Sequence, residues 1–257
     1  MPPAVRFRDA VSLAGRFPLL AGVTVEVGEG EVVHLRGPNG AGKTSLLRAC
    51  AGLVPIVSGA AEVLGHDLVG DRQSVRREVG LLGHRSFLYE ELSVEDNLRF
   101  AVRAARAPVA GIGPALELLG LTGRIGGARA ATLSTGQRRR VALAVLVARA
   151  PRLWLLDEPH AGLDAAGRDV VDVLVAEAPR RGATVLLASH ELERAAAIAD
   201  RAVTIVGGQV IAGQVIAGQV LAGQAGATPA GRGEEPVVVG EVAVRPAIVG
   251  EVGCDVA

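Results

Sequence analysis

The sequence has few cysteines, few aromatic residues and no net charge. Cys50 and Cys254 are its only two cysteines, far apart and outside any CxxC pair. This argues against a disulfide framework or a zinc site and indicates a reducing compartment, the cytosol. With 27 basic and 27 acidic residues, the chain has no net field that would draw it onto nucleic acid, so we expect no nucleic-acid partner.

Long apolar runs are also missing. The run VALAVLVA at 141–148 is far shorter than the roughly 18 residues that a membrane-spanning helix needs. The N-terminal segment MPPAVRFRDA has no apolar stretch of the kind found in a signal peptide. A chain of 257 residues can bury a sizeable core, so we expect a folded protein that does not cross a membrane by itself.

Lysine is almost absent, because Lys43 is the only one and every other cationic side chain is arginine. It stands in GPNGAGKT, residues 37–44, which matches the phosphate-loop pattern GxxxxGK followed by Ser or Thr. Glycines let such a loop curl so that N–H groups and a helix N-terminus face the phosphates. A compact ammonium fits between β- and γ-phosphates better than a planar guanidinium, which explains why lysine is kept here.

The apolar pattern predicts an α/β fold with a mostly parallel core sheet. Four short runs have the length and branching of buried strands: 31–37, 152–158, 183–190 and 201–207. Before them, VRFRDA and VTVEVGEGE predict an N-terminal antiparallel β part. Between about 86 and 150, Ala, Leu, Arg and Glu at helical spacing predict a helical subdomain.

The C-terminal part differs from the rest of the chain. GQVIA, GQVIA and GQVLA repeat every five residues from position 208, and VGEV occurs twice further on. A period of five matches neither the strand nor the helix repeat, and three copies are too few for a solenoid. We therefore predict one folded domain over 1–207, which carries the phosphate loop, and a functionally neutral low-complexity tail over 208–257.

Two further motifs carry candidate chemistry. RLWLLDEP is an apolar strand ending in Asp157 and Glu158; the first can hold a Mg²⁺ shell, and the second can accept a proton from an attacking water. Taken alone, such a pair is also typical of a solvated turn. In LSTGQRRRVALAVLVARA, Ser134 and Gln137 have capping-box spacing and predict a helix start with free N–H groups.

The order of GPNGAGKT, LSTGQ, LLDEP, AGLD and ASHE resembles the ATP-binding subunits of ABC transporters, over residues 5 to about 207. The resemblance implies a P-loop NTPase fold of the ABC type, with ATP and Mg²⁺ as cofactors. It also implies a head-to-tail homodimer. Two ATP molecules would each lie between the phosphate loop of one chain and the Ser134–Gln137 helix start of the other.

The same resemblance assigns roles to individual residues. Glu158 and His190 would be catalytic, His190 contacting the γ-phosphate and holding the attacking water, and Thr44 and Asp157 would hold the metal. Asp164 would lie at the dimer interface. The nucleotide-binding residues would be Gly37, Pro38, Asn39, Gly40, Ala41, Gly42, Lys43, Thr44, Ser45, Ser134, Gly136, Gln137 and Asp164. Three histidines match no motif and are expected to be structural: His34, His66 and His160.

Three positions depart from the family pattern. Thr135 replaces the usual glycine of LSGGQ. The glutamine that senses the γ-phosphate is missing, and Arg85 occupies the best-matching place, directly after His84. Where an aromatic ring should stack on adenine the chain has Ala14, and Phe17 is the nearest ring.

Within the superfamily, GHRSFLYEELSVEDNLRF and LSTGQRRRVALAVL resemble the ATP-binding subunit of the haem exporter of cytochrome c maturation. This implies transmembrane permease subunits as partners and a peripheral position on the cytoplasmic face of the cell membrane. The alternative is the ATPase of a drug or polysaccharide exporter. A soluble ABC protein outside transport is more remote, because such proteins carry two fused nucleotide domains or a long coiled-coil insertion.

Overall fold

The computed structural model describes residues 3–84 and 86–215, which lie in a compact unit, Met1–Val220. A second unit, Leu221–Ala257, falls outside the described residues. The described strands are β1 (Pro3–Ala14), β2 (Phe17–Gly28), β3 (Val32–Arg36), β4 (Ser58–Val63), β5 (His66–Asp67), β6 (Val79–Leu82), β7 (Leu153–Asp157), β8 (Thr184–Ala188), β9 (Arg201–Val206) and β10 (Gln209–Val215). The described α-helices are α1 (Lys43–Cys50), α2 (Val94–Ala104), α3 (Ile112–Leu118), α4 (Thr135–Arg149), α5 (Ala165–Glu177) and α6 (Leu192–Ile198).

The N-terminal β part is an antiparallel sheet with the strand order β2-β1-β4-β5. In β2, Val23, Val25 and Val27 are buried while the residues between them are exposed. This alternation is what a sheet with one covered and one solvated face requires. The sequence prediction of an antiparallel part before the core sheet is therefore confirmed.

The core sheet has the order β10-β9-β3-β8-β7-β6, and all of its neighbours pair in parallel except β10 with β9. Helices or the antiparallel sheet cover both faces, so β7 and β8 are almost continuously apolar. Alternate residues of β7 pack into two different apolar clusters. Trp154 and Leu156 pack on the helical side, while Leu153 and Leu155 pack towards α1 and the antiparallel sheet. The predicted α/β fold class is confirmed.

The parallel arrangement brings the carboxyl ends of four strands to one edge of the sheet. The loop 37–44 follows β3, Gly83 follows β6, Glu158 follows β7, and Ser189 follows β8. Ligands of open α/β sheets bind at this edge, because the loops there converge while the helices cover the faces. The fold thus positions the candidate site.

Between β6 and β7 lie the helices α2, α3 and α4, within the range where the sequence predicted a helical subdomain. Leu98, Leu116 and Leu143, one from each helix, share a buried apolar cluster. Ser93 caps α2 by accepting a hydrogen bond from the backbone N–H of Asp96 over 3.1 Å. Among the described residues, no helix is both long and apolar enough to span a bilayer.

The predicted domain boundary at residue 207 requires correction. Gly207 and Gly208 both have positive φ and form the turn of a hairpin, after which Gln209–Val215 pairs antiparallel with β9. The first repeat therefore belongs to the core sheet. The five-residue period concealed this, because an edge strand needs only backbone hydrogen bonds and not an alternating side-chain pattern. The rest of the predicted tail, 216–257, lies outside the described residues.

Candidate active site

The phosphate loop connects β3 to α1 in a conformation that requires glycine. Gly37 has φ +140, and a Cβ placed there would meet the carbonyl oxygen of Ile205 at 2.0 Å. Gly42 has φ +110 and precedes the first residue of α1. A Cβ on Gly42 would approach Gly208 Cα and the Leu19 carbonyl oxygen at 3.2 Å. At Gly37 and Gly42 the loop is therefore pressed against β9, β2 and the β9–β10 turn, and neither position accommodates a Cβ unless its neighbours shift.

Lys43 directs its ammonium back over this loop. Its Nζ donates hydrogen bonds to the carbonyl oxygens of Gly37 at 2.7 Å and Pro38 at 3.0 Å. No side chain of residues 3–84 or 86–215 caps the N-terminus of α1, and the first turn of the helix contains no acidic residue. The helix dipole and the ammonium thus both contribute positive potential that no carboxylate of this turn offsets, which suits a polyphosphate.

Thr44 and Asp157 are in direct contact. Thr44 Oγ1 donates a hydrogen bond to Asp157 Oδ2 over 2.8 Å, which joins the first turn of α1 to the end of β7. Hydroxyl and carboxylate oxygens are the hard donors that Mg²⁺ prefers. The donor set therefore fits the metal that the family resemblance implies.

Glu158 is held in an unusual backbone conformation. Its φ is +49, in the left-handed region that costs a residue with a Cβ about 1–2 kcal/mol. Its N–H donates to the Ala188 carbonyl oxygen over 2.8 Å. Its side chain accepts a hydrogen bond from the backbone N–H of His190 at 3.1 Å, and His190 Nε2 lies 3.5 Å from Glu158 Oε1. Such strain persists where the surroundings impose it, and it is common at reactive groups.

These groups line one cavity of about 480 Å³ at the carboxyl edge of the core sheet. Its walls include the phosphate loop from Asn39 onward together with Ser45, Asp157, Glu158, His190 and His84. The structure thus brings together a positively charged loop, a pair of candidate metal ligands and a carboxylate beside an imidazole. Binding of a nucleotide polyphosphate and activation of a water molecule are the chemistry that this set of groups can perform.

Arg139 contacts the backbone beside the cavity, although no sequence motif predicted a role for it. It is 7% exposed, and within the described part of the chain it donates only to backbone carbonyls: to Gly83 at 2.6 Å, Asp157 at 2.9 Å, Pro159 at 3.3 Å and also Glu158. Burial lowers the pKa of Arg139, and the carboxylates of Asp157 and Glu158 oppose that shift. The helical spacing of Arg139, Leu143 and Leu146 indicates that Arg139 is buried, because the three residues fall on one buried face of α4.

The LSTGQ segment forms the capping box that its spacing predicts. Ser134 Oγ accepts from the Gln137 N–H over 3.2 Å, and Gln137 Oε1 accepts from the Ser134 N–H over 2.9 Å. A Cβ on Gly136 would lie 3.0 Å from the Gly162 carbonyl oxygen, so this helix start sits beside the AGLD loop. Neither Ser134 nor Gln137 lines the cavity that contains the phosphate loop.

Asp164, in AGLD, caps α5 and forms an ion pair. Its Oδ1 accepts from the Gly167 N–H at 3.0 Å and from Arg140 Nη2 at 2.7 Å. The Arg140 hydrogen bond, aided by that of Gly167, lowers the pKa of the Asp164 carboxyl. The side chain is 66% exposed, and Asp164 does not line the cavity.

Of the two predicted ligands that depart from the family pattern, one lies away from the cavity and the other falls outside the described residues. Phe17 is 78% exposed at the β1–β2 turn, whereas Leu19 of the same strand does line it. Arg85 lies outside the described residues, although His84 beside it lines the cavity. Their proposed roles at adenine and at the γ-phosphate stay predictions.

The three remaining histidines each have a polar partner. His34 is buried, with Nε2 at 3.3 Å from the Ser189 carbonyl oxygen and Nδ1 accepting from Arg36. His160 Nε2 lies 2.8 Å from Asp172 Oδ1, and His66 Nε2 lies 2.6 Å from Glu78 Oε1. None of the three lines the cavity.

Comparison with known proteins identifies related sequences. The sequence model of the ABC transporter family matches residues 20–161. The cytochrome c biogenesis ATP-binding export protein CcmA 2 of Cupriavidus metallidurans is 40% identical over 179 residues, covering 69% of this chain and 84% of that protein.

Relatives with other named roles are almost as similar. The Fe(3+) ions import ATP-binding protein FbpC of Streptomyces coelicolor is 39% identical over 82% of this chain and 62% of its own length. The daunorubicin resistance ATP-binding protein DrrA3 of Streptomyces coeruleorubidus is 39% identical over 74% of this chain and 61% of its own length. The chain thus spans less than two thirds of these two proteins.

Solved structures show the same fold. One described as an ATP-binding subunit of an ABC transporter superposes with a TM-score of 0.77 at 29% sequence identity, covering 82% of this chain and 90% of that one. The mixed sheets and the helices inserted between β6 and β7 therefore form a known architecture.

Proposed function

The chain belongs to the ABC transporter family and is an ATPase of that family, and from this premise we propose that it powers haem export for cytochrome c maturation. The ATPase activity is supported by the cavity where the phosphate loop, Asp157, Glu158 and His190 meet. The assignment to haem export is supported by the 40% identity to a cytochrome c biogenesis export protein, of which the chain covers 84%.

In the proposed mechanism the phosphate loop and Lys43 hold the β- and γ-phosphates of ATP. Glu158 accepts the proton of the attacking water, because its carboxylate reaches into the cavity from the end of β7. His190 follows β8 and lies 3.5 Å from Glu158, so it can hold the same water and contact the γ-phosphate. Both groups are placed by neighbouring parallel strands, which keeps their separation fixed.

Thr44 and Asp157 would hold Mg²⁺. The metal, when bound, neutralises charge on the β- and γ-phosphates. Before it binds, the hydrogen bond between the two side chains keeps their oxygens adjacent. Asp157 ends a buried strand and Thr44 lies in the first turn of a helix, so neither ligand depends on a loose loop.

We further propose a head-to-tail homodimer that sandwiches two ATP molecules. Ser134 and Asp164 are exposed, and neither lines the chain's own phosphate cavity. The helix start after Ser134 adjoins the AGLD loop, since a Cβ on Gly136 would lie 3.0 Å from the Gly162 carbonyl oxygen. A capped helix start with polar groups at the surface suits the polyphosphate held by a second copy. Each chain would then complete the active site of the other.

A second cavity supports a membrane partner. It measures about 460 Å³ and lies between the core sheet and α2. Its lining includes Leu53, Phe87, Tyr89 and Phe100, each at least 46% exposed, and the last two rings pack edge to face with centroids 4.8 Å apart. Exposed aromatic groups around a concave apolar surface are typical of a binding site. We assign it to the permease subunit, which would hold the chain at the cytoplasmic face of the membrane.

The alternative with specific support is drug export, since the chain is 39% identical to a daunorubicin resistance protein over 197 residues. Complementation decides between the two functions. The chain and its membrane subunits, identified by co-purification, should restore covalently haem-bound c-type cytochromes in a bacterial strain lacking its haem-exporter ATPase. The Glu158→Gln chain should not restore them. Co-purification with a drug permease, together with drug resistance and no cytochrome c, would replace the proposal with the alternative.

A further inference from the structure

We propose that Arg139 is a positioning residue that ties the helix capped by Ser134 to the backbone of residues 157–159, which carry Glu158 and are called the catalytic loop. Its guanidinium donates to the carbonyl oxygens of Gly83, Asp157 and Pro159 at 2.6, 2.9 and 3.3 Å, and also to that of Glu158. The inference rests on the proposed role of Glu158 as the proton acceptor.

The contacts join the ends of β6 and β7, which are far apart in the sequence. Gly83 follows β6 and the three other carbonyls belong to consecutive residues at the end of β7. A planar guanidinium carries donors in several directions and can reach all four oxygens at once, whereas the ammonium of lysine has three donors at one point. All four hydrogen bonds of Arg139 among the described residues go to backbone oxygens.

This arrangement holds Glu158 from both sides. The Ala188 carbonyl accepts from its N–H at 2.8 Å, and Arg139 donates to its C=O, while φ stays at +49. Without the guanidinium the peptide after Glu158 is free to turn towards a less strained conformation. The carboxylate would then move away from the backbone N–H of His190, with which it forms a hydrogen bond over 3.1 Å. We therefore expect Arg139 to act on the hydrolysis step through Glu158.

Arg149 provides a matched control on the same helix. It is a partly buried arginine, burial lowers its pKa too, and it donates to the backbone carbonyls of Arg76 at 3.5 Å and Val79 at 3.1 Å. Val79 starts β6, at the end opposite to Gly83, so Arg149 makes a similar structural contact far from the catalytic loop. A purely structural role would give both arginines the same phenotype.

The test compares Arg139→Met, Arg139→Lys and Arg149→Met by kcat, by the Kd of a non-hydrolysable ATP analogue and by the midpoint of thermal unfolding. We expect Arg139→Met to lower kcat by about 100-fold, since a misplaced catalytic group has effects of that size. The Kd should change by less than about 3-fold, because the phosphate contacts remain. The kcat of Arg139→Lys should lie between those of wild type and Arg139→Met. The kcat of Arg149→Met should stay within about 2-fold of the wild-type value.

Three results would overturn the proposal: equal kcat for Arg139→Met and Arg149→Met, a Kd that weakens as much as kcat falls, or a lysine variant no better than methionine. If Arg139→Met does not fold, Arg139→Lys alone decides, since a wild-type kcat in that variant contradicts the role. Glu158→Gln in the same assays separates the two proposals. Normal hydrolysis by Glu158→Gln removes Glu158 as the base, whatever Arg139 does.

Discussion

His190 donates its backbone N–H to Glu158 Oε2 over 3.1 Å, although the two residues are 32 positions apart and follow different strands. The contact exists because β7 and β8 are parallel neighbours in register, with Asp157 beside Ala188. It fixes the direction of a carboxylate whose own backbone has a positive φ.

Glu158→Gln should retain ATP binding and lose hydrolysis. The amide keeps the size of the side chain and an oxygen for the His190 N–H, but it cannot accept a proton, so we expect kcat to fall by at least about 100-fold. Size-exclusion chromatography with ATP should show a stable dimer of this variant. Glu191→Gln is the matched control, because Glu191 pairs with Arg168 and Arg194 away from the cavity and should hydrolyse ATP normally. A monomeric Glu158→Gln that hydrolyses at the wild-type rate would show that another group is the base.

Lys43→Ala should abolish nucleotide binding, and Lys43→Arg should not restore it. The ammonium lies within hydrogen-bonding distance of the Gly37 and Pro38 carbonyls, and a compact point charge fits between the β- and γ-phosphates better than a planar guanidinium does. ATP raises the unfolding temperature of a protein that binds it, so the measurement is the ATP-induced shift in thermal unfolding. We expect no shift for either variant. A wild-type shift in Lys43→Arg would mean that the position requires only a positive charge.

Truncation after Val215 should be tolerated, whereas truncation after Gly207 should not. Gly208 donates to the carbonyl of Ala41 in the phosphate loop and accepts from the Ala21 N–H, both over 2.8 Å, and Gln209 Nε2 donates to the Ala21 carbonyl. Losing these three hydrogen bonds should lower the free energy of unfolding by about 3 kcal/mol and weaken ATP binding. Urea unfolding and nucleotide titration of both truncated chains measure the difference. Equal behaviour of the two would mean that β10 does not support the loop.

Acid should destabilise the protein partly through His34. Burial lowers the pKa of His34 below 6.5, with Arg36 and Lys43 adding to the shift and the Ser189 carbonyl opposing it. The unfolded chain therefore takes up this proton first, so the stability contributed by neutral His34 is complete above pH 6.5 and is lost as pH falls towards the folded pKa.

The check is urea unfolding at two pH values on either side of that window. His34→Gln can replace both hydrogen bonds of the imidazole without titrating, since its amide donates to Ser189 and accepts from Arg36. We expect the variant to lose less stability than wild type when the pH is lowered. An equal loss in the two proteins would assign the acid sensitivity to other groups.

Part of the site could be predicted from sequence because its interactions are local. The glycines of the phosphate loop and the Ser134–Gln137 capping box act within a few residues, so their spacing alone indicates the conformation. The apolar runs of β7 and β8 likewise predicted buried parallel strands. The C-terminal hairpin could not be predicted, because its strand is held by backbone hydrogen bonds at a sheet edge and the five-residue repeat has no strand period.

The sequence by itself determined which residues carry reactive groups and which short segments form strands, caps and the phosphate loop. Only the tertiary structure decided which of these meet. Thr44 and Asp157 are 113 positions apart and become adjacent because α1 packs against β7, and only the packing of α4 distinguishes Arg139 from the arginines on either side of it. The physical reason is that a hydrogen bond between distant residues, or the burial of one guanidinium among three, depends on how whole elements pack.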